Sequence, residues 1–460
     1  MRSLGSCAIA VLCVLIATPA LGVQPVEVLP PVSTRIVHES RERPDIPDAQ
    51  SPKGLRVTQI STNPELASHH LYPEAHMFTL DSKRFVFHRM SVKGRGGGHF
   101  WLCDIADNFA LRQLTDERGA HGRVAVSPDG KWVYYFVDRT RARERLVKLK
   151  RLSLDTFERQ TLFVLDGPIP GTDVWPKGLH GASGVSSDGK RLCTFAFLGD
   201  GKTDNPPFGI LVFDLEKPSV KLIFQGTHFN NMHLQYCRSL DPLLSHDILI
   251  QHNHGSVIDA RGRTLKLTGG AGADLHVIRD DGTHWRDVPI GRDGVLAHTG
   301  HEQWRGRMGT VISSMYNRKA RRHQLYESWP IATDEATSHK GSAIPGARNV
   351  ELTRTAAFST FNHFSMSLCG MHIVARHERQ KKGDDLKLYI GTLSPGDDAC
   401  LKVQYLLSPK SARGKEAFCR GQSDKPRPFF SPDARMVFFH SNIDGPCQIF
   451  MATGYEFPRF

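Results

Sequence analysis

Several features that would assign this chain to a common class of protein are missing from its sequence. No apolar run after the N-terminal one is long enough to cross a bilayer, so no membrane-spanning helix is predicted. No two cysteines have the CxxC spacing, which argues against a thiolate zinc site. No Gly-x-Ser-x-Gly elbow occurs, which excludes a serine hydrolase of that type. Apolar residues show no 3.6-residue period between the β-like runs, which disfavours an α/β barrel.

The first 22 residues have the pattern of a secretory signal peptide. Arg2 gives a positive start, residues 7–17 are apolar but too short to span a membrane, and Ala20-Leu21-Gly22 offers small residues for cleavage. No cysteine follows in a position that suggests a lipid anchor. We therefore expect residues 1–22 to be removed and the mature chain to be exported, either to the periplasm or to the medium.

Cysteine is scarce, with nine residues in 460, and Cys7 and Cys13 leave with the signal. The odd number that remains permits up to three disulfides in an oxidising compartment, but their pairing cannot be read from the sequence. Buried free thiols account for the same residues equally well. The seven are Cys103, Cys193, Cys237, Cys369, Cys400, Cys419 and Cys447.

Acidic residues are fewer than basic ones, and the formal net charge is +12. Removal of Arg2 with the signal makes this about +11. In an exported protein this excess favours an anionic partner such as an acidic polysaccharide, although a generally basic surface would account for it too. Nucleic acid is not expected, because the basic residues are scattered and no binding module is recognisable.

Residues 23–54 are rich in proline and charge, which predicts an extended arm or linker before a domain at 55–460. In that domain one pattern recurs: a turn with Asp-Gly or a related pair, then a run of β-branched and aromatic residues. The copies follow one another at intervals of 48 to 68 residues. They are counted from Thr79, Ser127, Ser186, Gln235, Gln303, Met366 and Ser431.

Short strands with turn signals at a long period are typical of the blades of a β-propeller. Asp-Gly supplies the left-handed turn of a hairpin, and the run after it packs between neighbouring blades. The sequence therefore predicts an all-β protein, a seven-bladed β-propeller. The longest intervals follow Gln235, so insertions on that half of the ring are expected to wall a site near the axis.

Residues 229–304 concentrate the groups that can carry chemistry. A single histidine is most often a hydrogen-bonded structural residue, but this stretch contains several beside glutamines and a carboxylate. The motifs are Met232-His233-Leu234-Gln235-Tyr236, Gln251-His252-Asn253-His254-Gly255 and Gly300-His301-Glu302-Gln303-Trp304.

The sequence resembles the oligogalacturonate lyases over roughly residues 55–450. The resemblance depends on the blade turns, on His233-Leu234-Gln235-Tyr236, on Gly300-His301-Glu302-Gln303-Trp304 and on the final Pro428-Phe429-Phe430-Ser431-Pro432-Asp433. That family consists of seven-bladed propellers that cleave short pectin fragments by β-elimination with the help of manganese. The resemblance implies an acidic oligosaccharide, an oligogalacturonide, as substrate and Mn²⁺ as cofactor.

The family's manganese ligands correspond here to His301 and Gln422, while its two other histidine positions carry Lys425 and Arg427. Neither cation can donate a lone pair to a metal. Two ligands are too few for a tight Mn²⁺ site unless a further group such as Glu302 joins them.

In the elimination that the resemblance implies, a base removes the C5 proton of a uronate and the glycosidic oxygen leaves from C4. The carboxylate of the substrate must be neutralised by fixed positive charge. Lys425 and Arg427 can replace the ion, with Arg427 gripping the carboxylate through two hydrogen bonds. The candidate bases are His254, His233 and His252. His254 is favoured, because its segment carries a catalytic-type histidine in the family.

Further candidates for substrate binding are Trp304, Arg305, Arg307 and His363. Trp304 could stack on a sugar face or fill a blade core. Two other interpretations remain open: a propeller without catalysis that binds acidic oligosaccharide through its cations, and a scaffold propeller that binds another protein. Only the lyase predicts turnover, and only the scaffold predicts no affinity for saccharide.

Overall fold

The computed structural model describes residues 27–460 with fourteen gaps. His254, Gln422 and Lys425, three of the predicted site residues, lie outside the described residues. The gaps are 34–35, 72–75, 94–97, 121–123, 141–143, 180–183, 228, 254, 267–272, 292–293, 334–345, 357–360, 378–385 and 412–425.

Four short strands precede the first blade, and each pairs at the outer edge of a sheet formed later in the chain. They are β1 (Val28–Leu29), β2 (Val37–His38), β3 (Arg41–Glu42) and β4 (Arg56–Gln59).

The first three blades are antiparallel sheets whose strands follow one another from the axis outward. Blade 1 contains β5 (Leu66–His70), β6 (Arg84–Ser91), β7 (His99–Asp104) and β8 (Ala110–Gln113), with β2 at its edge. Blade 2 contains β9 (Ala125–Val126), β10 (Trp132–Asp138), β11 (Val147–Ser153) and β12 (Arg159–Leu165), with β1 at its edge. Blade 3 contains β13 (Gly184–Val185), β14 (Arg191–Phe197), β15 (Phe208–Asp214) and β16 (Ser219–Gly226).

Blade 4 carries an inserted hairpin and borrows its last strand from further along the chain. It contains β17 (His233–Tyr236), β18 (Asp247–Asn253), β21 (Ala273–Arg279), β22 (Arg286–Asp287) and β26 (Ile331–Ala332), and a 3₁₀ turn (Leu244–His246) precedes β18. The hairpin is β19 (Val257–Ile258) and β20 (Thr264–Lys266).

Three more sheets complete the set. Blade 5 contains β23 (Leu296–Trp304), β24 (Val311–Asn317), β25 (Arg322–Ser328) and β27 (Asn349–Glu351). Blade 6 contains β28 (Phe361–Met366), β29 (His372–His377), β30 (Lys387–Leu393) and β31 (Leu401–Leu407). Blade 7 contains β32 (Phe429–Phe430), β33 (Val437–Ser441) and β34 (Gln448–Thr453), followed outward by β4 and β3.

The buried core is divided among the gaps between neighbouring blades, and these gaps close a ring. Phe136 of blade 2 shares a cluster with Leu211 of blade 3. Further clusters join blades 3 and 4, 4 and 5, 5 and 6, and 6 and 7. The largest cluster joins Phe438 of blade 7 to Phe85 of blade 1 and Val133 of blade 2. The predicted seven-bladed β-propeller is therefore confirmed.

The recurring turn has one local geometry that explains its sequence. In four of the seven copies a hydroxyl donates to the aspartate two residues later, and the next residue has a positive φ. Glycine adopts that conformation without strain, which accounts for the Asp-Gly pair. The hydroxyl-to-carboxylate pairs are Thr79 with Asp81, Ser127 with Asp129, Ser186 with Asp188 and Ser431 with Asp433. The positive-φ residues are Ser82, Gly130, Gly189 and Ala434.

The segment predicted as an extended arm runs along three blades, since β1 pairs with β12, β2 with β8 and β3 with β4. The next strand, β4, pairs with β34, so the two ends of the chain share blade 7. Among the cysteines of the described residues, Cys103, Cys193, Cys237, Cys369 and Cys400 are free thiols. Among the same residues no helix is long and apolar enough to cross a bilayer.

Candidate functional site

The innermost strands of blades 4, 5 and 6 bring three histidines and a carboxylate together near the axis. The rings of His301 and His363 have their centroids 3.8 Å apart. Nδ1 of His233 lies 3.4 Å from Oε1 of Glu302. The Glu302 carboxylate is almost fully buried, while His233 is partly exposed. We call His233, His301, Glu302 and His363 the axial cluster.

A bulge places His301 in this cluster. The pairing of β23 with β24 shifts register between His298 and Glu302, and Gly300 within the shift has a φ of 77°. The backbone N–H of Gly300 donates to Nδ1 of His298 at 3.0 Å, which fixes the bend. A bulge changes the direction of a side chain in this way. The motif Gly-His-Glu therefore needs a glycine at this position, because the bulge requires a positive φ there.

The hydrogen bonds of Thr299 define the tautomer of His301. The Thr299 hydroxyl donates to the carbonyl oxygen of Ser314 at 2.9 Å, and it lies 3.1 Å from Nδ1 of His301. Because a hydroxyl has one hydrogen to donate, Nδ1 of His301 must be the donor in the second bond. The neutral ring therefore carries its lone pair on Nε2, which can accept a proton or a hydrogen bond, or bind a metal.

Two guanidinium groups face the axial cluster from blades 6 and 7. Burial lowers the pKa of His301 well below its ordinary value, and the nearby charges of Arg376 and Arg427 lower it further. Arg376 lies on β29 and is fully buried, whereas Arg427 precedes β32 and is partly exposed. The arrangement places a neutral imidazole beside two fixed positive charges.

Histidines of blades 7 and 1 support the backbone at Arg427. Nε2 of His70 lies 2.6 Å from the carbonyl oxygen of Arg427, and the backbone N–H of His70 donates to Nε2 of His440 at 2.8 Å. The two rings stack at 3.8 Å. Burial lowers the pKa of His70 to about 3 and that of His440 well below its ordinary value, so both are neutral near pH 7.

Glutamine side chains tie the inner strands of blades 4, 5 and 6 together. Nε2 of Gln235 donates to the carbonyl oxygen of Glu302 at 2.9 Å. Oε1 of Gln303 accepts from the backbone N–H of Met366 at 2.8 Å. Both side chains are buried. The glutamines of the two motifs therefore hold the inner strands in register and position the cluster indirectly.

A second polar group lies in blade 4, one strand outward from the axis. Nε2 of His252 on β18 is 3.0 Å from Nε2 of His276 on β21, and Nδ1 of His276 is 2.6 Å from Oδ1 of Asp287. The ligand atoms of His252, His276 and Asp274 all lie within 4.8 Å of one another. His252, a candidate base, is fully buried and belongs to this group.

The structure uses Trp304 and Arg305 for packing between blades. Nε1 of Trp304 donates to the carbonyl oxygen of Gln235 at 3.0 Å, and its ring is buried. Arg305 is paired with Glu327 through Nη1 and Oε2 at 2.7 Å, with both side chains buried. Neither side chain is brought to the axial cluster.

Arg307 lies at the other end of the axis, in the turn after β23. β23 continues for three residues beyond His301, about 10 Å of strand, and ends at Trp304 just before this turn. There Arg307 lines a cavity with residues from all seven blades, many of them apolar, including Met77, Phe78 and Phe429. The polar chemistry is therefore concentrated at the end of the axis opposite this cavity.

Sequence reasoning missed Arg376, His440 and the partners of His252. A clue to Arg376 was present, since an arginine interrupts the apolar strand His372–His377. His276 and Asp274 follow an insertion that the blade pattern does not delimit, so their pairing with His252 could not be read from spacing.

The manganese ligands implied by the family resemblance do not fit the described part of this site. Arg427 occupies one ligand position and cannot donate a lone pair, and its charge and that of Arg376 oppose binding of a divalent cation. Within the described residues, His252, Asp274 and His276 are the one group of three such side chains close enough to share an ion. Gln422 and Lys425 lie outside the described residues.

Comparison with known proteins places this geometry in a wider context. No protein-family model matches the sequence, and no curated protein matches it either. Among solved structures, an oligogalacturonate lyase in complex with manganese aligns with 94% of this chain and 98% of its own, with a TM-score of 0.64 and 18% identity. The oligogalacturonate lyase from Vibrio parahaemolyticus gives the same coverage and identity with a TM-score of 0.63. The chain thus shares the fold of oligogalacturonate lyases over nearly its whole length, which confirms the resemblance predicted from its motifs.

Proposed function

We propose that this protein is a lyase that cleaves short acidic oligosaccharides, of the oligogalacturonide type, by β-elimination. The observation that carries the proposal is the convergence of the axial cluster with Arg376 and Arg427 at one end of the axis. Elimination next to a carboxylate requires a neutral base and fixed positive charge in one place.

In the proposed reaction, Arg427 binds the uronate carboxylate through its guanidinium group and stabilises the charge that develops there. The positive charge of Arg376, which is fully buried, adds to that of Arg427 in stabilising the substrate carboxylate. Nε2 of His301 accepts a hydrogen bond from a sugar hydroxyl. No step passes through a metal, because the described residues at the axis do not suit one.

We assign the base to His233, which is partly exposed and lies beside the buried carboxylate of Glu302. A carboxylate next to a histidine orients the ring and stabilises the imidazolium that forms when the ring accepts a proton. The ring takes the C5 proton of the uronate, a double bond forms between C4 and C5, and the electrons of the C4–O bond leave with the departing sugar. His254 remains an alternative base and lies outside the described residues.

The proposal is tested by following the ultraviolet absorbance of the unsaturated product, with oligogalacturonides as substrate and EDTA present. We expect turnover to persist in EDTA. Substitutions Arg427→Ala and His233→Gln are expected to lower kcat/KM by about 100-fold or more, because each removes a group that acts in the transition state. Arg307→Ala is the matched control, since that arginine lies at the far end of the axis, and should leave kcat/KM unchanged.

Absence of product from a panel of galacturonate, glucuronate and other uronate oligomers would overturn the proposal that the protein is a lyase. A second candidate is then a propeller that binds acidic oligosaccharide without cleaving it, favoured by the cations at two of the family's metal positions. Titration calorimetry separates them, because binding that depends on Arg427 but gives no product supports this second function. We also propose that the chain is exported, which N-terminal sequencing of the mature protein checks.

A further inference from the structure

We propose that His252, Asp274 and His276 form a binding site for one divalent transition-metal ion in blade 4, apart from the axial cluster. The ion would be held by Nε2 of each histidine and by a carboxylate oxygen of Asp274. This site is independent of the proposed lyase reaction, since it uses none of the groups assigned there.

The spacing of the two imidazole nitrogens suits ligands of one ion. Nε2 of His252 and Nε2 of His276 are 3.0 Å apart. Two nitrogens that each lie about 2.1 Å from one ion are about 3.0 Å apart at right angles and about 3.4 Å apart in a tetrahedral site, so the two rings need to move little to share an ion. The carboxylate of Asp274 is within 4.8 Å of both, a distance that a small rotation of its side chain can shorten.

The strand pairing builds this arrangement into the sheet. His252 on β18 is directly opposite Asp274 on β21, and His276 follows two residues later. Residues two apart on a strand point to the same face, so Asp274 and His276 lie on one side of the sheet. That face looks toward blade 3, because Ile250 and Ile278 pack there with Phe195.

Asp287 completes the site as a partner of His276. Its Oδ1 accepts from Nδ1 of His276 at 2.6 Å, and both side chains are fully buried. With the proton held on Nδ1, the lone pair of His276 lies on Nε2, facing His252. A carboxylate behind a metal-binding histidine fixes its tautomer and orientation and raises its basicity.

Aromatic packing holds both rings in place before any ion arrives. Phe229 stacks on His252 with centroids 4.1 Å apart, and Trp285 packs on His276 at 4.7 Å. Asp274 is only partly buried, so an ion can reach the site from solvent at this side chain. The charges of Asp274 and Asp287 together balance those of a divalent cation.

The ligand set indicates the class of ion. Imidazole suits zinc, copper, iron and nickel, whereas carboxylate also suits manganese. Two histidines and one carboxylate leave further positions open for water or another ligand. We therefore expect Zn²⁺ and Mn²⁺ to compete for the site, with Zn²⁺ bound more tightly.

The test uses the mature chain, stripped with chelator, and calorimetric titration with Zn²⁺, with Mn²⁺ followed separately by electron paramagnetic resonance. We expect one ion per chain. Asp274→Asn should weaken binding at least tenfold, and its partial exposure makes the variant compatible with folding. Asp287→Asn should weaken binding about 10- to 100-fold by releasing the orientation of His276.

His246→Gln is the matched control. Nδ1 of His246 lies 2.9 Å from Oδ2 of Asp280 across the same two strands at their opposite end. Within the described part of the chain, no third His, Cys, Asp or Glu is close enough to share an ion with this pair. Its loss should leave Zn²⁺ affinity unchanged. Failure of Zn²⁺ and Mn²⁺ to bind at millimolar concentration would overturn the proposal and identify the contact of His252 with His276 as a hydrogen bond only.

Binding that survives Asp274→Asn but disappears in His301→Gln would also overturn the proposal, because the ion would then occupy the axial cluster. Assay of oligogalacturonide cleavage in Asp274→Asn keeps the two proposals distinguishable. The lyase proposal predicts unchanged cleavage in EDTA in this variant, whether or not the metal site exists.

Discussion

At the scale of single residues, buried charges connect the turns of neighbouring blades. Arg305 at the end of blade 5 donates from Nη1 to Glu327 and from Nε to the carbonyl oxygen of Gly370 in blade 6. Oε1 of Glu327 also accepts from Thr310 at 2.6 Å. A buried ion pair with its remaining hydrogen bonds satisfied is costly to break on one side.

We predict that Arg305→Met lowers the free energy of unfolding by about 3–5 kcal/mol, because it leaves the Glu327 carboxylate buried without its cation. Urea denaturation followed by fluorescence gives the value, provided that the m-value is unchanged. Arg307→Ala is the control, since this exposed side chain should change stability by less than about 0.5 kcal/mol. Equal small effects from both substitutions would contradict a structural role for Arg305.

At the scale of elements, the N-terminal segment contributes charges as well as strands. Glu39, between β2 and β3, pairs with Arg89 on β6 at 2.9 Å, and the Arg89 side chain is almost fully buried. The same carboxylate accepts from the backbone N–H groups of Thr62 and Asn63. Arg89 also lies over the ring of Trp101 at 4.9 Å. The segment is therefore fixed to blade 1 by the ion pair of Glu39 with Arg89, because the buried guanidinium needs an anion beside it.

Substitution Glu39→Gln is expected to lower the free energy of unfolding by about 3–5 kcal/mol and to speed hydrogen exchange in β2, because Arg89 would keep its charge without an anion. Glu42→Gln on the exposed strand β3 is the control and should have little effect. Urea denaturation and hydrogen-exchange mass spectrometry of both variants measure the two effects. A variant as stable as the parent chain would show that Arg89 is neutralised in some other way.

The predictability of these elements differs for a physical reason. The blade turns could be recognised because their hydrogen bonds join residues within one short motif, as at Ser127 and Asp129. The edge strands β1, β2 and β3 have two residues each, which is too short for alternation to appear. The axial position of His301 was predicted from a resemblance, whereas Arg376 and His276 depend on contacts between strands that no local pattern encodes.

At the scale of the whole molecule, the ring buries several histidines in neutral form. Burial lowers the pKa of His70 and of His76 to about 3, and that of His440 well below its ordinary value. The unfolded chain binds protons at these residues near pH 6.5. Their contribution to stability is therefore complete above about pH 6.5 and declines as the pH falls toward 3.

We predict that the melting temperature falls steadily between pH 6.5 and pH 4.5, with uptake of about five protons on unfolding at pH 5. One proton each is taken up by His70, His76, His298, His301 and His440, whose pKa values burial lowers in the folded protein. His70 alone should account for about 2 kcal/mol of lost stability at pH 5. Calorimetric unfolding across this range measures both quantities. Carboxylates with lowered pKa such as Asp45, which its bond to Arg43 holds at about 2, act mainly below this window. A melting temperature that stays constant to pH 4.5 would contradict neutral burial of the histidines.

Blade 7 is made from both ends of the polypeptide, because β4 pairs with β34 across nearly four hundred residues of chain. During synthesis β3 and β4 leave the ribosome long before β34, so the edge of β4 that faces away from β3 has no partner until the last blade follows. The circle can therefore be sealed only in a final step, and the unsealed intermediate exposes the edges of β4 and β34. Chaperone binding and proteolysis of the nascent chain should then concentrate at these two edges and end when they join.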